Sequence, residues 1–213
     1  MHNRIDLGFY KSIVCLNGDL PEASFFKSLN LPIIAADGAA NHLYEMGVTP
    51  SIITGDLDSV KPTILQKCPS LHLPDQSQSD YQKTMVYLRQ KQLLPSIILG
   101  INGGYLDHIL NNINIFMDSD CLLYSPPIRG FVIKEQCKAS LSLQENTKIS
   151  LIGLPNAVCS STGLKWNLDQ THLSFPGNTS CFNRCQQTDI ELQTHSGTVL
   201  VLIYDIIICD AGF

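Results

Sequence analysis

Alternation between short apolar runs and segments of helical period is the sequence feature that most restricts the fold. Up to about residue 125, the segments between the apolar runs are helix-like, most clearly at 81–92 and 106–117. Strands that alternate with helices predict an α/β fold, in which crossover helices connect a mainly parallel sheet. The predicted strands are 12–16, 32–36, 52–54, 71–73, 96–99 and 121–124.

Two adjacent prolines, Pro126 and Pro127, end this alternation. Neither proline can donate a hydrogen bond to a sheet, and a residue that precedes proline avoids the helical conformation. The strand-like runs that follow, without any long helical period, predict an antiparallel sandwich or barrel. We expect an α/β domain at 1–126 and, of these two, an all-β sandwich domain at 127–213. The β-like runs are 131–133, 139–143, 148–151, 171–175, 189–193 and 198–208.

The low charge of the chain restricts its partners. Only 15% of the residues are charged and the net charge is −5, against about 25% charged residues in an ordinary soluble domain. Without a basic run, duplex nucleic acid is excluded as a partner, and a small ligand is favoured. So few charges also predict that some apolar surface is buried against a second subunit.

The cysteines and the apolar segments favour a cytoplasmic location. The first twelve residues lack the apolar run of a signal peptide. The most apolar stretch, 199–209, contains Asp205 and falls well short of the roughly 20 residues that span a bilayer, so we expect a buried strand and no membrane partner. We expect the eight cysteines to be free thiols. Cys181 and Cys185 do not have the spacing of zinc ligands, and we expect no zinc site there.

Polar and acidic residues follow five successive predicted strands, in the loops 17–19, 37–41, 55–59, 75–80 and 100–108. Ligands of open α/β sheets bind at this edge, outside the carboxyl ends of the strands. Asp56, Asp58, Asp80 and Asp107 would repel one another there unless a cation were bound. Magnesium prefers carboxylates, water and phosphate oxygens, so the pattern predicts Mg²⁺ and a polyphosphate substrate.

Five of these segments, in order along the chain, resemble the thiamine pyrophosphokinase family. The motifs are DGAANHL at 37–43, GDLDS at 55–59, DQ at 75–76 followed by SDYQK at 79–83, GGYLDH at 103–108 and STGLKWNL at 161–168. The resemblance implies an enzyme that transfers the pyrophosphoryl group of ATP to the hydroxyl of thiamine, giving thiamine diphosphate and AMP with the help of a divalent cation. It also implies a homodimer whose active site lies between the subunits.

The resemblance also implies roles for individual residues. Asp56, Asp58 and Asp80 would form the metal and phosphate centre, with Asp107 nearby, and Lys83 would place a positive charge on phosphate. Nucleotide contacts are expected from the neighbouring loops and from the helix that follows the fifth strand, and thiamine contacts from four further residues. The nucleotide set is Asn17, Asp37, Gly38, Asn41, Gly103, Gly104 and Asn112, and the thiamine set is Gln76, Ser160, Trp166 and Asn167.

Two departures from the family pattern are visible. Tyr105 stands where the family usually has Arg, so a planar donor to phosphate is missing. Pro176 separates Phe175 from Gly177, which predicts a reshaped loop.

Two other functions stay open for this sequence. One is a module that binds a nucleotide as a sensor, and the other is a magnesium-dependent phosphohydrolase that uses water as the nucleophile.

Overall fold

A computed structural model of the chain describes residues 7–205. Within that range the chain divides into two compact units, 7–125 and 126–205. The first unit begins with a short 3-10 helix at Leu7–Phe9. Its further elements are β1 (Ser12–Cys15), α1 (Ala23–Leu29), β2 (Ile33–Ala36), α2 (Ala39–Glu45), β3 (Ile52–Gly55), α3 (Pro62–Leu65), β4 (Ser70–His72), α4 (Asp80–Gln90), β5 (Ser96–Leu99), α5 (Leu106–Phe116) and β6 (Leu122–Ser125).

The strands of the first unit form a parallel sheet in the order β6-β5-β1-β2-β3-β4. The central strands are apolar along their whole length, as in β1 and β5, because helices cover both faces of such a sheet. The strand order reverses at β1, and the carboxyl ends of the strands at such a reversal are where α/β sheets bind ligands. The predicted α/β fold is confirmed.

Helix α4 begins at a capping box. The Ser79 hydroxyl accepts a hydrogen bond from the backbone N–H of Gln82, and the Gln82 side chain accepts one from the backbone N–H of Ser79. This pair fixes the first turn of the helix, which carries Asp80 and Lys83 at the carboxyl edge of the sheet.

The second unit is antiparallel. Its elements are β7 (Ile128–Ile133), β8 (Lys138–Ser142), β9 (Lys148–Thr162), β10 (Thr171–Ser174), β11 (Ser180–Arg184) and β12 (Asp189–Tyr204). Strand β12 pairs with β7, β8 and β9, and β9 also pairs with β10 and β11. Ile190 from the first half of β12 and Val201 from the second half belong to one buried core with Ile149 of β9. The predicted all-β architecture of this half is confirmed.

The element boundaries differ from the predicted ones mainly in the second unit. The runs 189–193 and 198–208 were predicted as separate strands, which is wrong, because within the described residues they belong to the single strand β12. This strand continues through two irregularities, between Thr194 and Ser196 and between Gly197 and Val199. Strand β9 continues to Thr162, well beyond the predicted 148–151, and β11 was not predicted.

The described residues contain no helix that is both long and apolar enough to cross a membrane. The first part of the apolar stretch 199–209 lies in β12, where Val199, Val201 and Ile203 are buried as predicted. Cys209 lies outside the described residues. The seven cysteines within them are free, among them the buried Cys15, Cys121 and Cys159.

Candidate active site

A cleft of about 370 Å³ lies at the carboxyl edge of the parallel sheet. The loops that follow β1, β2, β3 and β4 form it, together with the first turn of α4 and the first two turns of α5. Nine of the predicted site residues line it: Asn17, Asp37, Gly38, Asp56, Asp58, Gln76, Asp80, Lys83 and Asn112. The rest of its lining includes Ser59, Tyr81, His108 and Asn111, none of which was in the predicted set.

The loop after β3 presents Asp56 and Asp58 to this cleft. Leu57 between them has a positive φ of 66°, and the backbone N–H of Asp58 donates to Oδ1 of Asp56 at 3.4 Å. Gln76 donates from Nε2 to Oδ2 of Asp56 at 2.7 Å. This hydrogen bond is the main cause that lowers the pKa of the Asp56 carboxyl, so Asp56 is ionised at neutral pH.

Asp37 comes directly after β2 and differs from these two aspartates because it is buried. Its backbone has a positive φ of 44°, and its Oδ1 atom is buried without a hydrogen-bond partner. Burial raises the pKa of the Asp37 carboxyl, and the charges of Asp80 and Asp56 raise it further. An unpartnered carboxylate oxygen costs free energy, which a bound cation would recover.

Asp37, Asp56 and Asp58 each offer a carboxylate oxygen, and these oxygens lie within 4.8 Å of one another. Carboxylates of this kind, of which Asp37 also carries a buried and unpartnered oxygen, fit a hard divalent cation such as Mg²⁺. The sequence assigned Asp37 to the nucleotide and Asp80 to the metal, whereas the structure brings Asp37 into the group of three. Asp80 pairs with Lys83 instead.

Lys83 provides a buried positive charge in the cleft. Its Nζ lies 3.1 Å from Oδ1 of Asp80 and 3.9 Å from Oδ2 of Asp56, and only 4% of its side chain is exposed. The cleft is lined by four aspartates and this one lysine, so its fixed charge is strongly negative when the carboxylates are ionised. A polyphosphate would be repelled from such a surface unless cations bound with it.

Four predicted residues of the first unit do not line the cleft. Asn41 bridges the loop after β3, because its amide donates to the Ser59 carbonyl at 2.8 Å and accepts from the Lys61 backbone N–H at 3.0 Å. It therefore positions the segment that carries Asp58. Of the other three, Gly103 and Gly104 lie just before α5 and Asp107 lies in its first turn.

The glycines before α5 allow neighbouring loops to pack closely. Gly103 has a φ of +93°, and a Cβ at this position would lie 2.2 Å from the Asp19 carboxylate. Gly103 also lines a neighbouring cavity of about 350 Å³, together with Asn17 and His42. Asp107 is exposed and its Oδ1 accepts the backbone N–H of His108, the residue that reaches the cleft.

The remaining predicted residues lie in the second unit. Trp166 is 56% exposed, which excludes it as a core anchor, and Lys165 Nζ lies 4.7 Å from the centre of its ring. Its backbone is held by the buried Asn183, which accepts the Trp166 N–H at 3.2 Å and donates to the Trp166 carbonyl at 2.7 Å. Asn167 accepts the Leu164 N–H at 2.9 Å and closes the turn.

Ser160 forms contacts that the sequence did not indicate. Its hydroxyl lies 2.8 Å from Nε2 of His195 and accepts the Gln170 backbone N–H at 3.0 Å. A pairing of residues 35 positions apart along the chain depends on the register of β9 against β12, which no local motif encodes.

Comparisons with known proteins agree with this architecture. Residues 26–122 match the family described as "Thiamin pyrophosphokinase, catalytic domain", and residues 135–199 match "Thiamin pyrophosphokinase, vitamin B1 binding domain". Thiamine pyrophosphokinase 3 of Oryza sativa subsp. japonica is 26% identical over 203 residues, with 78% of this chain and 76% of that protein covered. Thiamin pyrophosphokinase 1 of Caenorhabditis elegans is 27% identical over 185 residues, with 78% and 76% covered.

Solved structures have the same fold. The crystal structure of yeast thiamin pyrophosphokinase matches 100% of this chain and 94% of its own with a TM-score of 0.80 at 17% identity. The crystal structure of thiamine pyrophosphokinase from Bacillus subtilis matches 92% of this chain and 99% of its own with a TM-score of 0.78 at 19% identity. Together, the two matched domains and these relatives show that the chain belongs to the thiamin pyrophosphokinase family.

Proposed function

We propose that the protein transfers the pyrophosphoryl group of ATP to the hydroxyl oxygen of thiamine. The thiamine oxygen bonds to the β-phosphorus, the bond from that phosphorus to the α,β-bridging oxygen breaks, and AMP leaves with that oxygen. The hydroxyl proton of thiamine is released. The products are thiamine diphosphate and AMP.

The observation that carries this proposal is the group formed by Asp37, Asp56 and Asp58 beside a buried Lys83. Phosphoryl transfer requires positioning and charge stabilisation more than covalent chemistry. Lys83 supplies a point charge to a phosphate oxygen, while Asp80 and Asp56 hold its ammonium in place. The Gln76 amide orients Asp56 from the other side.

We propose Mg²⁺ as the cation, held by Asp37, Asp56 and Asp58. When bound, it would neutralise phosphate charge and polarise the phosphoryl oxygens. The role of Asp80 as a further ligand stays a prediction, as does the role of Asp107. We also propose that Asn17, Gly38 and Asn112, which line the same cleft, contact the nucleotide.

We further propose that the active enzyme is a homodimer in which the thiamine site is completed by Trp166 of the partner subunit. Exposed apolar side chains support this assembly: Tyr105, Leu106 and Leu110 on and before α5 are 80%, 71% and 50% exposed. Mixing Trp166→Ala and Asp58→Asn subunits would then restore one intact site in each heterodimer. Verified heterodimers without any recovered transfer would contradict a shared site.

The location in the cell also remains a proposal. We propose the cytoplasm, and the free thiols of the seven described cysteines support this location, because thiols persist in reducing compartments.

An end-point assay with ATP, Mg²⁺ and thiamine tests the function. We expect AMP and thiamine diphosphate in equal amounts and no reaction when thiamine is left out. Release of inorganic phosphate without thiamine would instead support a phosphohydrolase. Nucleotide binding without any turnover would support a sensor module.

A further inference from the structure

His195 occupies an irregular position in β12. The register pairs Thr194 with Cys159 and Ser196 with Val158, so His195 is the extra residue of a β-bulge and has no partner opposite it on β9. Bulges of this kind redirect a side chain. Here the imidazole lies beside Ser160, and its Nε2 is 2.8 Å from the Ser160 hydroxyl oxygen.

The bulge is held in place from a neighbouring segment. The side-chain amide of Gln136, itself at a positive φ of 60°, donates to the His195 carbonyl. The backbone N–H of Thr194 donates to the Cys137 carbonyl at 3.0 Å. These two hydrogen bonds satisfy backbone groups around the bulge, so the fold fixes the backbone from which the imidazole projects.

The contacts of Ser160 determine what its hydroxyl can offer to a ligand. A serine hydroxyl has one proton to donate and two lone pairs that accept. The Gln170 backbone N–H occupies one lone pair. If Nε2 of His195 accepts the proton, one lone pair remains, and the hydroxyl presents only an acceptor. If Nε2 carries a proton and donates it, both lone pairs are occupied, and the hydroxyl can present only its proton to a ligand.

We propose that His195 is a positioning residue that accepts the Ser160 proton at Nε2, so that Ser160 presents its remaining lone pair to an N–H donor of the substrate. This inference rests on the proposed function and on the predicted contact of Ser160 with thiamine. The matching donor on thiamine is the amino group of its pyrimidine ring. His195 thereby selects for an amino substituent at that ring position.

Kinetics of two substitutions at His195 test this role. His195→Ala should raise the thiamine KM about tenfold, while kcat and the ATP KM change less than about twofold. His195→Gln introduces an amide oxygen that can accept the Ser160 proton in place of Nε2, so it should keep most of the thiamine affinity. His172→Gln, which changes an exposed histidine of the same unit on β10 that forms no hydrogen bond with Ser160 among the described residues, is the control. A thiamine KM of His195→Ala equal to that of the wild type would overturn the proposal.

The preference for thiamine over an analogue provides a second readout. A purely structural role of His195 would leave this preference unchanged. An analogue of thiamine with oxygen in place of the amino group offers no donor there, so the wild type should bind it less tightly than thiamine. This preference should shrink to a similar extent in His195→Ala, in Ser160→Ala and in the double variant. An undiminished preference in His195→Ala would contradict the proposal.

A third readout does not depend on activity. Nitrogen NMR of isotope-labelled histidine in the intact protein should show an unprotonated Nε2 for His195 at neutral pH, and this state should change in Ser160→Ala. A protonated Nε2 would overturn the inference even if the enzyme transfers pyrophosphate normally. Conversely, a wild type that shows the expected tautomer but no thiamine-dependent transfer would contradict only the proposed function.

Discussion

Gly55 lies directly against Asp80, and a Cβ added to Gly55 would come within 2.9 Å of Oδ1 of Asp80. The same Cβ would be 3.0 Å from Cβ of Asp37. The last residue of β3 therefore has no side chain because the Asp80 carboxylate and the Cβ of Asp37 occupy that space. This close approach allows Asp37 and Asp80 to reach the same cleft from different elements.

Gly55→Ala is therefore expected to damage the site more than the fold. Its φ of +143° adds strain of about 1–3 kcal/mol, and the new methyl group displaces Asp80. We expect transfer activity to fall at least about tenfold per folded molecule. Gly47→Ala is the matched control, because Gly47 has a φ of +72° but nothing within 4 Å of a Cβ. Equal activity of the two variants after correction for the folded fraction would contradict the packing argument.

Asp58→Asn removes one carboxylate from the group of three while leaving the core untouched. We expect the transfer rate to fall by at least about 100-fold, or roughly 2.7 kcal/mol in the barrier, with thermal stability unchanged because the residue is exposed. Asp75→Asn is the control: Asp75 is also exposed, and its Oδ1 accepts the Ser77 N–H of its own turn. If Asp58→Asn retained normal turnover at low Mg²⁺, the assignment of a metal ligand to this loop would be wrong.

Asp37→Asn should separate stability from function. Burial raises the pKa of Asp37, so the fold favours its protonated form and the charged form costs stability at neutral pH. Without divalent cations, the variant should be more stable than the wild type at pH 7 by up to about 1 kcal/mol. Asparagine also tolerates the positive φ at this position.

The dependence of this stability difference on pH and on Mg²⁺ tests whether the charge of Asp37 causes it. The stability gain of Asp37→Asn should vanish below the ordinary aspartate pKa of about 3.9, where the wild-type carboxyl is protonated in both the folded and the unfolded state. Mg²⁺ should raise the melting temperature of the wild type more than that of the variant. A variant that is less stable than the wild type at pH 7 without metal would refute this account.

Tyr105 provides a test of the departure from the family pattern. Its ring is 80% exposed and meets His108 edge-on, with 6.0 Å between the ring centres. Tyr105→Arg should lower the ATP KM or leave it unchanged, since a guanidinium offers a planar donor to phosphate. Tyr105→Ala should raise the ATP KM, and neither substitution should move the melting temperature. Loss of activity in the arginine variant at unchanged stability would show that the tyrosine has its own role.

Trp166 should bind the cationic ring of thiamine. A cation over an indole face contributes about 0.5–2 kcal/mol, so Trp166→Ala should raise the thiamine KM about 2- to 30-fold. The ATP KM and the melting temperature should hardly change, because the ring is exposed. Phe175→Ala, at 55% exposure, is the control. Trp166 is the single tryptophan of the chain, so thiamine should quench the fluorescence of the wild type, and an unquenched signal at saturating thiamine would contradict the contact.

Much of the α/β half could be predicted from the sequence because its signals are local. The strand at 96–99 was predicted with its exact bounds, since an apolar run flanked by Pro95 and Gly100 has defined ends. Asp56 and Asp58 were recognised for a similar reason, because residues directly after parallel strands must meet at one edge. The helix spacing of Asp80 and Lys83 is also local, but their pairing depends on side-chain orientation that the pattern does not contain.

The β half and the contacts that hold the site residues were harder to predict, because they depend on strand register and loop packing. His195, Ser196 and Gly197 interrupt the apolar alternation and indicate a break between two strands, whereas the chain passes through them as bulges in β12. The contact of His195 with Ser160 follows from that register. Likewise, the burial of the Asp37 carboxylate depends on how the loops after β1, β2 and β3 pack together.

The central claim is that pyrophosphate moves as one unit from ATP to thiamine. The most direct measurement incubates the enzyme with Mg²⁺, thiamine and ATP that is radiolabelled at the β-phosphate, and then separates the products. We predict that all of the transferred label appears in thiamine diphosphate, with unlabelled AMP formed in equal amount. Label in ADP together with thiamine monophosphate, or label in inorganic products that form without thiamine, would contradict the account.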